Sequence, residues 1–220
     1  MARQVPIAVL LSGGGTNLQA IIDAIEAKKL DAKIELVLSN KSDSFGLVRA
    51  QNHRIPTEVL DHKAYPSREA YDQAAVDLLG GRGVELVVLA GFMRLLSPVF
   101  IKAYSNRIIN IHPSLLPVFP GLNVQKKAVE HGVRFAGCTV HFVNEECDEG
   151  PIIIQAVVPV FSDDTEESLA ARILKQEHRI FPRAIQLYAE GRLHVSGRRV
   201  LVDGPNQDDG QVLIQPPLDR

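Results

Sequence analysis

Short runs of apolar residues alternate along the chain with longer amphipathic stretches, the pattern that produces a parallel sheet covered by helices. Ile7 to Leu11 reads as a buried strand, and Leu18, Ile21, Ile22 and Ile25 then recur at helical spacing to about Lys29. A second strand follows at Ile34 to Ser39, then a helix near Gly46 to His53 and a short strand at Thr57 to Leu60. Ser67 is placed to cap the next helix, which Gly80-Gly81 should stop at about Leu79. Val84 to Ala90 is the most apolar strand and therefore belongs at the centre of the sheet.

The second half of the chain is richer in β segments. Ser97-Pro98 offers a cap followed by proline at the first helical position, so a short helix should reach about Tyr104. Ile108 to Ile111 reads as a strand that ends at His112-Pro113; a Pro-rich loop and a helix over about Val124 to His131 come next. Cys138 to Val143 and Ile152 to Val160 are β-rich, and Thr165 can cap a long helix to Tyr188, bent at Pro182. Leu193 to Val195 and Val200 to Val202 flank Ser196-Gly197-Arg198 as a hairpin. The expectation is one α/β domain over residues 1–195, its central sheet mostly parallel with helices on both faces. The end of the hairpin and a poorly ordered Pro-rich tail fill 196–220.

Composition narrows the partners. The 220 residues are 45% hydrophobic and 23% charged, as in an ordinary globular protein. Lys+Arg 24 against Asp+Glu 26 leaves no positive excess to hold a nucleic-acid backbone, which argues against nucleic acid as the main partner. No apolar run approaches the roughly 18 residues of a membrane helix. The first residues have a basic side chain before an apolar run but no small-residue cleavage site, and they lead into a glycine loop, so they read as a strand rather than a secretory leader. Cys138 and Cys147 are too few for a disulfide framework and no metal spacing accompanies them; two reduced thiols in a cytoplasmic, metal-free protein is the reading.

Four stretches could carry chemistry. Ser12-Gly13-Gly14-Gly15-Thr16-Asn17 lies between the first strand and first helix, where free N–H groups and the positive end of the helix can face a phosphate. It lacks the Lys of a Walker loop, Leu18 fills the third glycine position of a dinucleotide fingerprint, and the second strand ends in Ser39-Asn40 rather than an acid. A tight turn with no ligand is the alternative. Asn110 and His112 alternate along a strand and so point to one side at its carboxyl end, where open α/β sheets bind ligands; a structural histidine is the alternative there. Pro113, Pro117 and Pro120 with Gly121 stiffen the wall beside that His, and any carboxylate of the acidic stretch Asn144 to Gly150 could orient its ring. The turn Gly91 to Leu96 leaves the central strand at the same edge, either as a binding wall or as a packed apolar connection.

Four segments, in order, resemble one family. Ser12-Gly-Gly-Gly-Thr-Asn17, Leu89-Ala-Gly-Phe-Met-Arg-Leu-Leu-Ser-Pro98, Asn110-Ile-His-Pro-Ser-Leu-Leu-Pro117 with Phe119-Pro120-Gly121, and Gly137-Cys-Thr-Val-His-Phe-Val143 through Asp148 are similar to the phosphoribosylglycinamide formyltransferases, folate-dependent enzymes of purine synthesis. The resemblance covers about Val5 to Leu193 and implies a Rossmann-like formyltransferase fold. It implies Asn110, His112 and Asp148 as catalytic residues. It implies the substrate phosphate on Gly15, Thr16 and Asn17, with Leu174, Lys175, Gln176 and Glu177 near the sugar. It further implies that 10-formyltetrahydrofolate, a formyl-donor co-substrate, contacts Arg68, Met93, Arg94, Leu95, Leu96, Asn110, Asn144, Glu145, Glu146, Cys147 and Asp148, with no metal. Gln125, Cys147 and Glu149 depart from the family pattern. The partners implied are small molecules only, with a monomer or weak homodimer.

The chemistry of the residues agrees. Formyl transfer to a primary amine passes through a tetrahedral intermediate whose oxyanion needs donors and whose leaving nitrogen needs a proton. Asn110 supplies an amide donor, His112 a donor or the proton, and an adjacent Asp148 carboxylate would favour the imidazolium and hold the ring. Two related activities fit less well. A formyltransferase acting on initiator tRNA would be expected to carry a further basic domain, whereas residues 192–220 balance four Arg with four Asp. A formyl-folate hydrolase would be expected to have a preceding regulatory domain and a second His in place of Pro113. From another class, a non-catalytic nucleotide-binding module would be expected to lack one of Asn110, His112 and Asp148.

Overall fold

The computed structural model describes residues 3–204. Nine strands form one sheet in the order β3-β2-β1-β4-β5-β6-β7-β9-β8. They are β1 (Val5–Leu11), β2 (Ala32–Ser39), β3 (Thr57–Val59), β4 (Leu86–Leu89), β5 (Ile108–His112), β6 (Phe135–Phe142), β7 (Ile152–Pro159), β8 (Leu193–Ser196) and β9 (Arg199–Val202). Pairs from β3 to β5 are parallel, β5-β6-β7 are antiparallel, and β9 lies parallel to β7 with β8 closing the hairpin. The six helices are α1 (Thr16–Glu26), α2 (Phe45–Asn52), α3 (Arg68–Gly81), α4 (Pro98–Ala103), α5 (Val124–Glu130) and α6 (Glu166–Ala189).

Why β1 and β4 are apolar throughout is visible in their two faces. Val5, Ile7, Val9 and Leu11, with Leu86, Val88 and Ala90, pack with α1, α2 and α6; Ala8 and Leu10, with Val87 and Leu89, pack with α3 and α4. Burial of each such Ile, Val or Leu is worth ~1.5–3 kcal/mol, which makes this central pair the anchor of the fold. The same alternation continues into β5 and β6 with a different result. Ile109, Ile111, Cys138, Val140 and Phe142 face the α6 core. The opposite apolar cluster ends at Ile108 and Val143, and beyond it that face carries Asn110, His112, Thr139 and His141.

The ends of α3 and α4 differ from expectation, whereas α6 and the hairpin follow it. Helix α3 runs through Gly80-Gly81, and the left-handed residue that ends it is Gly83, at φ 69°. Ser67 does cap α3, accepting from the Ala70 N–H, but Ser97 caps nothing: its side chain makes no cap bond and its own N–H donates to buried Asp72 at 2.5 Å. Helix α6 continues through Pro182 to Ala189, opened by a capping box between Thr165 and Ser168. The hairpin turns at Gly197 (φ 59°), and β9 extends the main sheet. The tail from residue 205 lies outside the described residues.

Candidate active site

The glycine loop leaves β1 and enters α1 at Gly15, which stands in the left-handed region at φ 70°, ψ 30°. Helices α3 and α6 begin with a capping side chain and an acidic residue in the first turn; α1 has neither. Among the described residues, no backbone N–H of residues 13–17 donates to a protein acceptor, so this helix start faces outward with its positive end unspent. A Cβ on Gly13 or Gly14 would meet nothing within 4 Å, whereas one on Gly15 would come within 2.6 Å of Gly46 Cα. Gly13 and Gly14 are thus bare toward the open side, and Gly15 is required by packing against α2.

Behind the loop, Asn17 Nδ2 donates to Glu177 Oε2 at 2.7 Å, while Asn17 Oδ1 is buried and has no partner among the described residues. Burial pushes the Glu177 carboxyl above the ordinary glutamate range, against the opposing pull of that hydrogen bond. Of the four α6 residues expected at the sugar, Glu177 alone bonds to the loop. Lys175 is exposed, Leu174 is half-buried, and Gln176 accepts from Arg179 at 2.8 Å.

The second half of the site is built on the open sheet face. Residue 110 sits opposite residue 141 in the β5-β6 register, and Asn110 Nδ2 lies 3.1 Å from His141 Nε2. His141 Nδ1 is 2.9 Å from the Phe142 carbonyl, which can only accept; Nδ1 therefore carries the proton and Nε2 accepts from Asn110. Burial lowers the His141 pKa and keeps the ring neutral, consistent with that tautomer. The Asn110 amide is oriented by this bond and keeps a second N–H free. Sequence reasoning missed His141; its signal was the two-residue alternation with Thr139 in a strand that had to pair with β5.

His112, also buried, points Nε2 at the Phe119 carbonyl, 3.1 Å away, and Nδ1 at Asp148 Oδ2, 3.5 Å away. Both nitrogens face acceptors, an arrangement complementary to the imidazolium form. Asp148 reaches this position from the loop after β6 in a left-handed conformation, φ 58°, and its Oδ2 accepts the Gly121 N–H at 2.9 Å. The Pro-rich loop is in turn pinned: Thr139 Oγ1 accepts from Leu116 N and donates to the Ser114 carbonyl, and Ser114 donates to the Val118 carbonyl. Of the four carboxylates in the acidic loop, Asp148 alone meets the imidazole; Glu145, Glu146 and Glu149 are exposed.

The remaining expected contacts spread along the rim. Met93 and Leu95 are exposed, Leu96 is partly buried against the α3-α4 core, and the Arg94 guanidinium lies 4.7 Å from the Tyr71 ring with its Nε buried and, among the described residues, unpartnered. Ser12 Oγ accepts the Met93 N–H at 2.9 Å and donates to Asn40 Oδ1 at 2.6 Å, tying the glycine loop to this turn. Arg68 opens α3 with an exposed guanidinium 3.6 Å from Glu69. Asn144 accepts from Glu146 N within its own loop, and Cys147 Sγ lies 3.6 Å from Asp148 Oδ2, its thiol pKa raised by burial and that carboxylate.

Fold and site together define a group-transfer enzyme on an open α/β sheet. The chain belongs to the formyl transferase family, whose model matches residues 5–185. It is 48% identical over 198 residues to phosphoribosylglycinamide formyltransferase of Escherichia coli, covering 90% of this chain and 93% of that one. Among solved structures, glycinamide ribonucleotide transformylase 1 from Symbiobacterium toebii superposes with a TM-score of 0.90 at 52% identity, covering 92% and 95% of the two chains. Phosphoribosylglycinamide formyltransferase from Coxiella burnetii gives 0.88 at 44% identity, with 92% and 95% covered.

Proposed function

We propose that the chain transfers the formyl group of 10-formyltetrahydrofolate to the primary amine of glycinamide ribonucleotide, a step of de novo purine (IMP) biosynthesis. The observation that carries the reading is the approach of Asp148 to His112, 3.5 Å separating the carboxylate from the imidazole, with Asn110 two residues along on the same face of β5. The kinship to enzymes named for this transfer supports the substrate pair. In this reading the free Asn110 N–H donates to the oxyanion that develops at the formyl carbon, and the N–H bond to His141 fixes its aim. His112 donates the second hydrogen bond or delivers the proton to the departing nitrogen, and Asp148 holds the imidazolium.

The phosphate of the ribonucleotide would rest on Gly15, Thr16 and Asn17, and Glu177, with Leu174, Lys175 and Gln176, would border the sugar. The uncapped start of α1 supports that assignment. The folate would contact Arg68, Met93 to Leu96, Asn110 and Asn144 to Asp148; the exposed apolar Met93 and Leu95 suit a flat aromatic ring. The mechanism calls on no metal. Among the described residues no helix is long and apolar enough to cross a membrane. We infer a cytoplasmic enzyme, monomer or weak homodimer, working on small molecules, with residues 1–195 as its catalytic unit. The test is formyl transfer to glycinamide ribonucleotide measured beside formate release; transfer is expected, and formate release without transfer would overturn the reading.

A further inference from the structure

The glycine loop has no cationic side chain of its own, yet its carbonyls are held in a definite direction. Gly46 N donates to the Gly13 carbonyl at 3.0 Å, and Arg49 Nε donates to the Gly14 carbonyl at 2.9 Å, both from α2. A trans peptide unit points its C=O and N–H in opposite directions. Holding the Gly13 carbonyl on the α2 side therefore turns the Gly14 N–H away from α2, and holding the Gly14 carbonyl turns the Gly15 N–H away likewise. The first anchor is main chain and survives most substitutions; the second is a side chain. Arg49 is itself braced, its guanidinium carbon 5.1 Å from the centre of the Phe45 ring and its Nη1 3.5 Å from Gln19 Oε1.

We propose that Arg49 is the positioning residue of the anion cradle: it fixes the Gly14-Gly15 peptide so that the Gly15 N–H faces the ribonucleotide phosphate, and it adds a positive charge beside a loop that carries none. This rests on the phosphate assignment made above. A lysine offers one compact ammonium and no planar Nε to bond the carbonyl while lying on Phe45, so it restores the charge but not the anchor. Arg49 stands outside the formyl-transfer face, so its loss should leave the chemical step alone.

The experiment compares Arg49→Met, which keeps the apolar stem, with Arg49→Lys and the parent enzyme, measuring KM for glycinamide ribonucleotide, KM for the formyl folate, kcat, and inhibition by inorganic phosphate. Arg49→Met should raise the ribonucleotide KM about tenfold and weaken phosphate inhibition in parallel, with folate KM and kcat within about twofold; Arg49→Lys should fall between. A ribonucleotide KM unchanged in Arg49→Met, or both KM values rising together, overturns the proposal. Gly14→Ala separates the two levels, because its Cβ enters open space in front of the loop without meeting protein atoms. If Gly14→Ala raises the ribonucleotide KM and Arg49→Met does not, the inference about Arg49 alone falls. If neither does, the phosphate assignment falls with it.

Discussion

From β3 to β5 the strands run parallel and bring mostly main chain to the site: bare glycines, outward N–H groups and the start of α1. From β5 to β7 they run antiparallel and bring side chains: Asn110 aimed by His141, His112 held between Phe119 and Asp148. In the proposed function the parallel half receives an anion mainly on backbone N–H groups, with Arg49 bracing the loop from α2, so its demands fall on small residues and close packing. The antiparallel half must place specific atoms, and its demands fall on loops in unusual conformations, with Phe119, Asn123 and Asp148 all at positive φ. In the proposed function recognition and chemistry are thus separated along the sheet, and substitutions in the two halves should fail in different ways.

The largest effect is expected in the antiparallel half. Asp148→Asn keeps the size, suits the left-handed backbone and still accepts the Gly121 N–H, but removes the charge beside His112. We expect kcat to fall by about 10² to 10⁴ with both KM values little changed. Glutamine at 145, 146 or 149 should stay within a few-fold, since these carboxylates are exposed. Equal activity of Asp148→Asn and Glu149→Gln would erase the distinction between the halves.

In the parallel half the corresponding failure is of folding. Gly15→Val combines a positive φ with a contact of 2.6 Å to Gly46 Cα, so it should cost ~1–3 kcal/mol from strain alone and lower Tm by roughly 2–4 °C per ~1 kcal/mol. Calorimetry decides it. A Gly15→Val protein of parental Tm would mean that the close approach relaxes freely.

Glu177 joins both kinds of failure in one residue. Its raised pKa means the folded chain keeps a proton that the unfolded chain has released, so stability is lost as pH rises from the ordinary glutamate range through the raised value. Glu177→Gln still accepts from Asn17 and removes the buried charge. Tm should rise by a few degrees near neutral pH and its slope against pH should flatten. The ribonucleotide KM should meanwhile increase about tenfold through the lost charged contact. An unchanged slope would deny Glu177 its part in the pH dependence.

The smallest effect belongs to the rim: Arg68→Ala should weaken formyl-folate binding by about 1 kcal/mol, the scale of an exposed charge pair. Titration at low salt measures it, and an unchanged Kd removes Arg68 from the folate site.

The sequence made the central strands legible through their short apolar runs and the Asn110-His112 pair through a period of two, and both signals are local. It did not make His141 legible as a partner, because that contact is set by the β5-β6 register, across 31 residues. Gly15 illustrates a different limit. Its place in a glycine loop between β1 and α1 was readable, but its physical reason is Gly46, on another element, and the bare positions proved to be Gly13 and Gly14. Gly80-Gly81 misled for the converse reason: neither position has a left-handed requirement, so both remain in the last turn of α3, and the left-handed residue is Gly83.

The hairpin pairs with the main sheet at one register pair, Ile152 with Arg199, packs Leu193, Val195 and Val200 against the edge of the core, and closes on itself through Arg192, His194 and Asp203. In the language of amide exchange it is a unit that can open alone. Amides of β1 and β4, whose side chains are nearly all buried, should exchange only when the whole molecule unfolds. Those of β8 and β9 should exchange at a rate set by a much smaller opening, indifferent to a ligand bound on the far side of β5.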